Sequence, residues 1–109
     1  MTTKTAWPEN VIARYLTLAG ASLGRDDIAV DIAERPGYYG IAFPTEHFIA
    51  CHGCGDTRTE DWGWDAYHDE FGKGPQPDFD ATGESALPAA RKWAQSHAET
   101  CRAVPKPTA

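Results

Sequence analysis

Cys51-His52-Gly53-Cys54 places two thiols three positions apart at the end of a short apolar run, and Gly53 and Gly55 let the chain turn tightly around them. Cysteines at this spacing serve one of three ends. They hold half of a metal site, they form a redox couple, or they are small residues that happen to be buried. The third cysteine narrows the choice. Cys101 stands four residues after His97, so both side chains would leave a helix on one face. The full pattern is C-x2-C-x42-H-x3-C, and it uses every cysteine in the chain. Three thiolates and an imidazole make a donor set for tetrahedral zinc. The expected ligands are therefore Cys51, Cys54, His97 and Cys101, and the expected cofactor is Zn2+. Four protein donors leave no open coordination position, so the expected role is structural.

The hairpin carrying "CHGC" and the helix carrying "HAETC" resemble a ββα zinc finger with C2HC ligands, over Phe48–Thr59 and Ser85–Arg102. The resemblance implies a cage closed between a knuckle and a helix, and it makes a nucleic-acid-binding regulator the first alternative function. In that family about a dozen residues separate the two ligand pairs, whereas 42 do so here. The Ala- and Asp-rich, Lys-poor composition also resembles small proteins of GC-rich actinobacteria and their phages or plasmids.

A CxxC thiol redox protein is the second alternative. It needs a thiolate activated at a helix N-terminus or beside positive charge. His52 is adjacent, but Gly55-Asp56-Thr57-Arg58-Thr59 does not read as the start of a helix. Covalent haem attachment requires His directly after Cys54, where Gly55 stands. No glycine-rich phosphate loop occurs, and Ser22, Ser85 and Ser96 sit in no nucleophile elbow. No enzyme is expected. His52, between the knuckle cysteines, should point away from a shared metal into solvent. His47 reads as an ordinary strand residue and His68 as a solvated one.

The elements must bring knuckle and helix together. Pro8 to Ala19 reads as an amphipathic helix with Val11, Ile12, Tyr15, Leu16 and Ala19 on one face and Gly20 as its stop. Ile28 to Ala33 alternates as a half-buried strand, and Arg35-Pro36-Gly37 signals a turn. Tyr39, Ile41 and Phe43 read as a second strand, His47 to Ala50 as a third leading into Cys51, and Thr57 to Thr59 as the returning one. Glu60 to Phe71 admits a short acidic helix through Trp64, Tyr67 and Phe71, weakened by Gly63, and Gly72 to Asp80 reads as loop. Glu84 to Ala103 is the clearest helix, with Ser85 as cap, Pro88 in its first turn, and a stripe of Leu87, Ala90, Trp93, Ala94, His97, Cys101 and Val104. The expected fold class is α+β. An N-terminal helix, a short antiparallel sheet with a zinc knuckle and a C-terminal helix packed on the sheet form one domain over 1–104, with a tail at 105–109.

The chain of 109 residues has 41% hydrophobic residues, enough for a modest core that gains from a cross-link. It has no apolar run long enough to span a membrane and no apolar region near Met1, so a cytoplasmic, reducing setting is expected. The net charge of −6 is concentrated between Gly55 and Glu84, where only Arg58 and Lys73 oppose the acids. That balance disfavours phosphate backbones, although Arg91, Lys92, Arg102 and Lys106 could touch them from the last helix. Trp62, Trp64, Tyr67 and Phe71 alternate with acids in the same stretch. They read either as core or as an interaction surface for a basic protein partner. The function expected is thus a small zinc-stabilised protein-interaction or regulatory module.

Overall fold

The computed structural model describes residues 7–37, 41–69, 72–75 and 79–105. Its main sheet is antiparallel with strands in sequence order: β1 (Val11–Leu16), β2 (Ala29–Arg35), β3 (Glu46–Cys51) and β4 (Thr57–Asp61). A short helix, α1 (Leu18–Leu23), links β1 to β2, and β5 (Trp64–Asp69) pairs with β6 (Gly72–Pro75) as a separate hairpin. The long helix α2 (Leu87–Thr100) packs on one face of the main sheet. The architecture is α+β, as expected.

The strand β2 carries the core because it is covered on both faces. Val30 and Ile32 face α2 together with Ile49 and Cys51 of β3, and all four are buried. Against them α2 presents Ala90, Ala94 and Ala98 at successive turns. Asp31 points to the opposite face, where Arg14 of β1 grips it through Nε at 2.6 Å and Nη2 at 2.8 Å. A carboxylate 4% exposed survives there because its charge is met by two parallel donors.

Several expectations need correction. Val11–Leu16 is a strand rather than the body of a helix, and the N-terminal helix is the short one that follows it. The spacing of Val11, Ile12, Tyr15 and Leu16 is helical, but the strand packs Ala13 and Tyr15 on the core, leaves Ile12 and Leu16 exposed, and lets Arg14 reach Asp31 across its pairing with β2. Buried Thr17 then starts α1, its Oγ1 accepting from the Gly20 N–H at 3.0 Å and donating to the Ile28 carbonyl at 2.9 Å. The stop is Gly24, at φ 67°, rather than Gly20, where a Cβ would run into the Ile28 carbonyl.

Residues 41–45 form no strand, and 38–40 lie outside the described residues. The loop after β2 instead closes on Thr45, whose N–H bonds the Arg35 carbonyl at 3.0 Å and whose Oγ1 accepts from Gly37 at 2.9 Å. Glu60 to Asp69 is not helical either. Asp61 ends β4 by accepting the N–H groups of Gly63 and Trp64 on Oδ1, Gly63 takes φ 104°, and β5 follows. Residues 72–75, expected as loop, pair as β6.

The helix α2 begins at Leu87, and Ser85 does not cap it. Asp80 organises the turn before it instead. Its carboxylate accepts from Thr82 Oγ1 and N–H and from the Ser85 N–H, and these bonds, the Thr82 hydroxyl first, hold it far below the usual carboxylate range.

Trp62 is 4% exposed and belongs to this core. Its Nε1–H donates to His47 Nδ1 at 3.0 Å, and Gly83, at φ 74°, lies where any Cβ would enter the indole. His47 is therefore a buried neutral ring with its proton on Nε2, which faces Glu34 at 4.0 Å. Burial lowers its pKa below 6.5, outweighing the opposing pull of Glu34 and Glu60. The unfolded chain takes up this proton at about 6.5 and the folded chain only at lower pH, so the stability from this group is complete above that value and is lost as pH falls below it. Urea unfolding between pH 7.5 and 5.5 should show a loss of stability that is smaller in His47→Gln, which keeps an acceptor but cannot titrate.

Candidate metal centre

The knuckle is built where β3 ends. The Cys51 N–H bonds the Asp56 carbonyl at 2.8 Å, and the Gly55 N–H returns to the Cys51 carbonyl at 2.9 Å. Gly55 has φ 88°, a conformation that costs glycine little and other residues more. The turn lets the Asp56 N–H approach Cys54 Sγ at 3.5 Å, a dipole aimed at the sulfur. Gly53 packs so closely on the segment after α2 that a Cβ would stand 2.5 Å from the Ala103 carbonyl oxygen.

The other two donors come from the end of α2. His97 is in its last turn, and Cys101 is the C-cap, extended at φ −72°, ψ 120°, with its N–H bonded to the His97 carbonyl at 2.9 Å. Cys101 thus leaves the helix axis just where the knuckle arrives. Its carbonyl accepts from the Ala19 N–H at 3.2 Å, which ties α1 to the same corner.

The four donor atoms lie within 4.8 Å of one another. Cys51 Sγ and Cys101 Sγ are 3.7 Å apart and buried, and Cys54 Sγ is 3.2 Å from His97 Nε2 at the more open side. All three cysteines are free. A disulfide would bring sulfurs to about 2.05 Å. A zinc tetrahedron with Zn–S near 2.3 Å has S···S edges of about 3.8 Å. The observed sulfur pair matches the tetrahedron. The group can hold a metal ion, and three thiolates with one imidazole are the soft donors typical of zinc.

All four ligands expected from the sequence are brought together. Of the remaining histidines, His47 is buried against Trp62, and His52 points away from the cluster, 47% exposed, with Nε2 2.8 Å from Asp31 Oδ2. The side chains of His68 and Tyr67, and all of Phe71, lie outside the described residues. Of the aromatics expected at a partner surface, Trp62 is core, and Trp64 is half-buried, edge-on to Phe43 at 5.3 Å and to Phe79 at 5.5 Å.

The sequence reading missed the groups that steady the ligands. Trp93 stacks on His97 with centroids 5.0 Å apart and planes 10° from parallel. Its position four residues before His97 is a signal that helix periodicity offers. The anchoring of the knuckle by Asp31 through His52, 21 residues apart, has no local signature. No protein-family model matches this chain, no curated protein matches its sequence, and no solved structure matches its fold.

A ligand ring fixed by its neighbour gives up less freedom on binding, and groups supporting metal ligands are commonly worth ten- to a hundredfold in affinity. Trp93→Leu should weaken zinc binding about tenfold at the low end of that range, measured by competition with a chromophoric chelator, while circular dichroism retains the helical signal.

Proposed function

We propose that this chain is a non-catalytic module of a reducing compartment, folded around a structural zinc ion and acting by holding a protein partner. The observation that supports the zinc is the approach of Cys54 and His97, 43 residues apart in sequence, to 3.2 Å. A knuckle and a helix end converge with soft donors only, and four protein donors complete a tetrahedron without a position for substrate. The zinc then joins α2 to the sheet, and the work of the module falls to its surface.

The acidic aromatic segment is the surface that the composition offers to a basic partner. Trp62 is in the core and Trp64 is flanked by Phe43 and Phe79, so among the described residues the rings of this segment are packed within the molecule. A regulatory role through it would rest on charge steering, which weakens with salt.

Protein purified without added zinc should contain one zinc ion per chain. Its thiols should react with a disulfide reagent only after chelation, and chelation should unfold α2 from the sheet, seen as lost helical signal and shifted tryptophan emission. Metal binding and folding are coupled in such cages, with apparent energies of ~10–16 kcal/mol in zinc-finger peptides. Thiols that react freely in the metal-loaded protein, or a fold indifferent to chelation, would defeat the structural role.

A further inference from the structure

The main sheet has two edges, and they differ. On β1 the register slips between Val11 and Ala13, and Asn10 before it takes φ 75°, so this edge is broken by an irregularity of the kind that blocks strand pairing. On β4 the register with β3 runs unbroken from Glu46↔Asp61 to Ala50↔Thr57. The phase of its hydrogen bonds follows from its ends, where the Cys51 N–H meets the Asp56 carbonyl and the Trp62 N–H meets the Thr45 carbonyl. Alternation makes Arg58 and Glu60 the residues bonded to β3, and it turns the N–H and C=O groups of Thr57, Thr59 and Asp61 outward. Among the described residues no strand pairs with that side of β4.

Beside this edge runs a groove of about 360 Å³ between β4 and α2, lined by Arg58, Ala89, Lys92, Trp93 and Ser96. Arg58 lies opposite Ile49, a residue of the face that α2 covers, so its side chain reaches the groove. The guanidinium is bound to Glu60 at 2.7 Å but stays 50% exposed, and an exposed pair of this kind exchanges at little cost. In a molecule of net charge −6 the groove therefore brings two cations and an indole together.

We propose that this groove binds an extended peptide segment of a partner protein by strand addition to β4. The peptide main chain pairs with Thr57, Thr59 and Asp61. Its alternate side chains, about 7 Å apart, enter the groove. One is a carboxylate between Lys92 and Arg58, and the residue two positions away is apolar and lies on Trp93 and Ala89. The outward row of amides and carbonyls favours a peptide over a nucleic acid, which has no matching main chain. The proposal rests on the zinc reading, because His97, stacked on Trp93, sets where α2 stands beside β4.

The test uses the full chain, with its zinc content measured first. A phage-displayed library of random linear decapeptides should enrich sequences carrying Asp or Glu two residues from Leu, Val, Ile or Phe. A synthetic peptide of the enriched sequence should shift amide resonances at 57–61 and 89–96. Lys92→Glu, a change at the rim of the groove, should weaken that peptide roughly tenfold while leaving zinc content and melting temperature unchanged. Thr59→Pro, which removes one outward N–H, should abolish binding. The proposal is overturned if nothing enriches, if the enriched peptides are basic, if the shifts fall at Leu18, Leu23 and Val104 instead, or if decathymidylate binds the groove more tightly than the peptide. Failure with one zinc per chain present sinks the groove alone, whereas a chain without zinc sinks the reading beneath it as well.

Discussion

Everything in this molecule turns on how a long helix is kept against a small sheet. The helix offers Ala90, Ala94 and Ala98 to Val30, Ile32 and Ile49. Fully burying a Val or Ile side chain is worth about 1.5–3 kcal/mol, and alanine, with a single methyl, contributes much less. A seam with alanine on one side is close-fitting but weak. The cage sits at the end of that seam, with Cys51 and Cys101 buried beside the alanines. The coordination energy of such a site exceeds what an alanine seam supplies, so a metal bound there, as proposed, would be the principal bond between helix and sheet.

The sheet's other face is held by charge. Asp31 is shared between Arg14 of the edge strand and His52 of the knuckle, and Glu46 is gripped by Arg35, whose guanidinium also lies 3.7 Å above the Phe48 ring. Removing Arg14 from its buried pair with Asp31 costs more than the pair contributes, because the remaining charge is left without compensation. These pairs specify which strand lies next to which. The His52 contact also gives the knuckle a second attachment, so the turn carrying two ligands is held from the sheet face opposite α2.

The convergence of the four donors was legible in the sequence because no cysteine was left over and because an i, i+4 pair from a helix needs a complementary pair elsewhere. The strands around Ile28–Ala33, His47–Ala50 and Thr57–Thr59 were legible from alternation between turn residues. The misreadings came where local spacing was consistent with two structures. Val11, Ile12, Tyr15 and Leu16 read as a helix, whereas the strand buries the alternate set with Ala13 and Tyr15, and the deciding contact, Arg14 to Asp31, spans 17 residues. Trp62 looks the same in sequence whether it is buried or displayed. Its place depends on His47 accepting a hydrogen bond from its indole N–H and on Gly83 making room, neither of which is near it in the chain. Ser85 was a reasonable cap by type, but Asp80 had already engaged its backbone.

The wide interval between the two ligand pairs also sets a timetable for the chain's birth. Cys54 leaves the ribosome before β4 is made, with only half of the donor set present. At roughly 5–20 residues per second, the last donor, Cys101, follows about 2–9 s later. During that interval the knuckle thiols lack the two donors that the helix brings, and a competing metal or oxidant would meet them as an open pair.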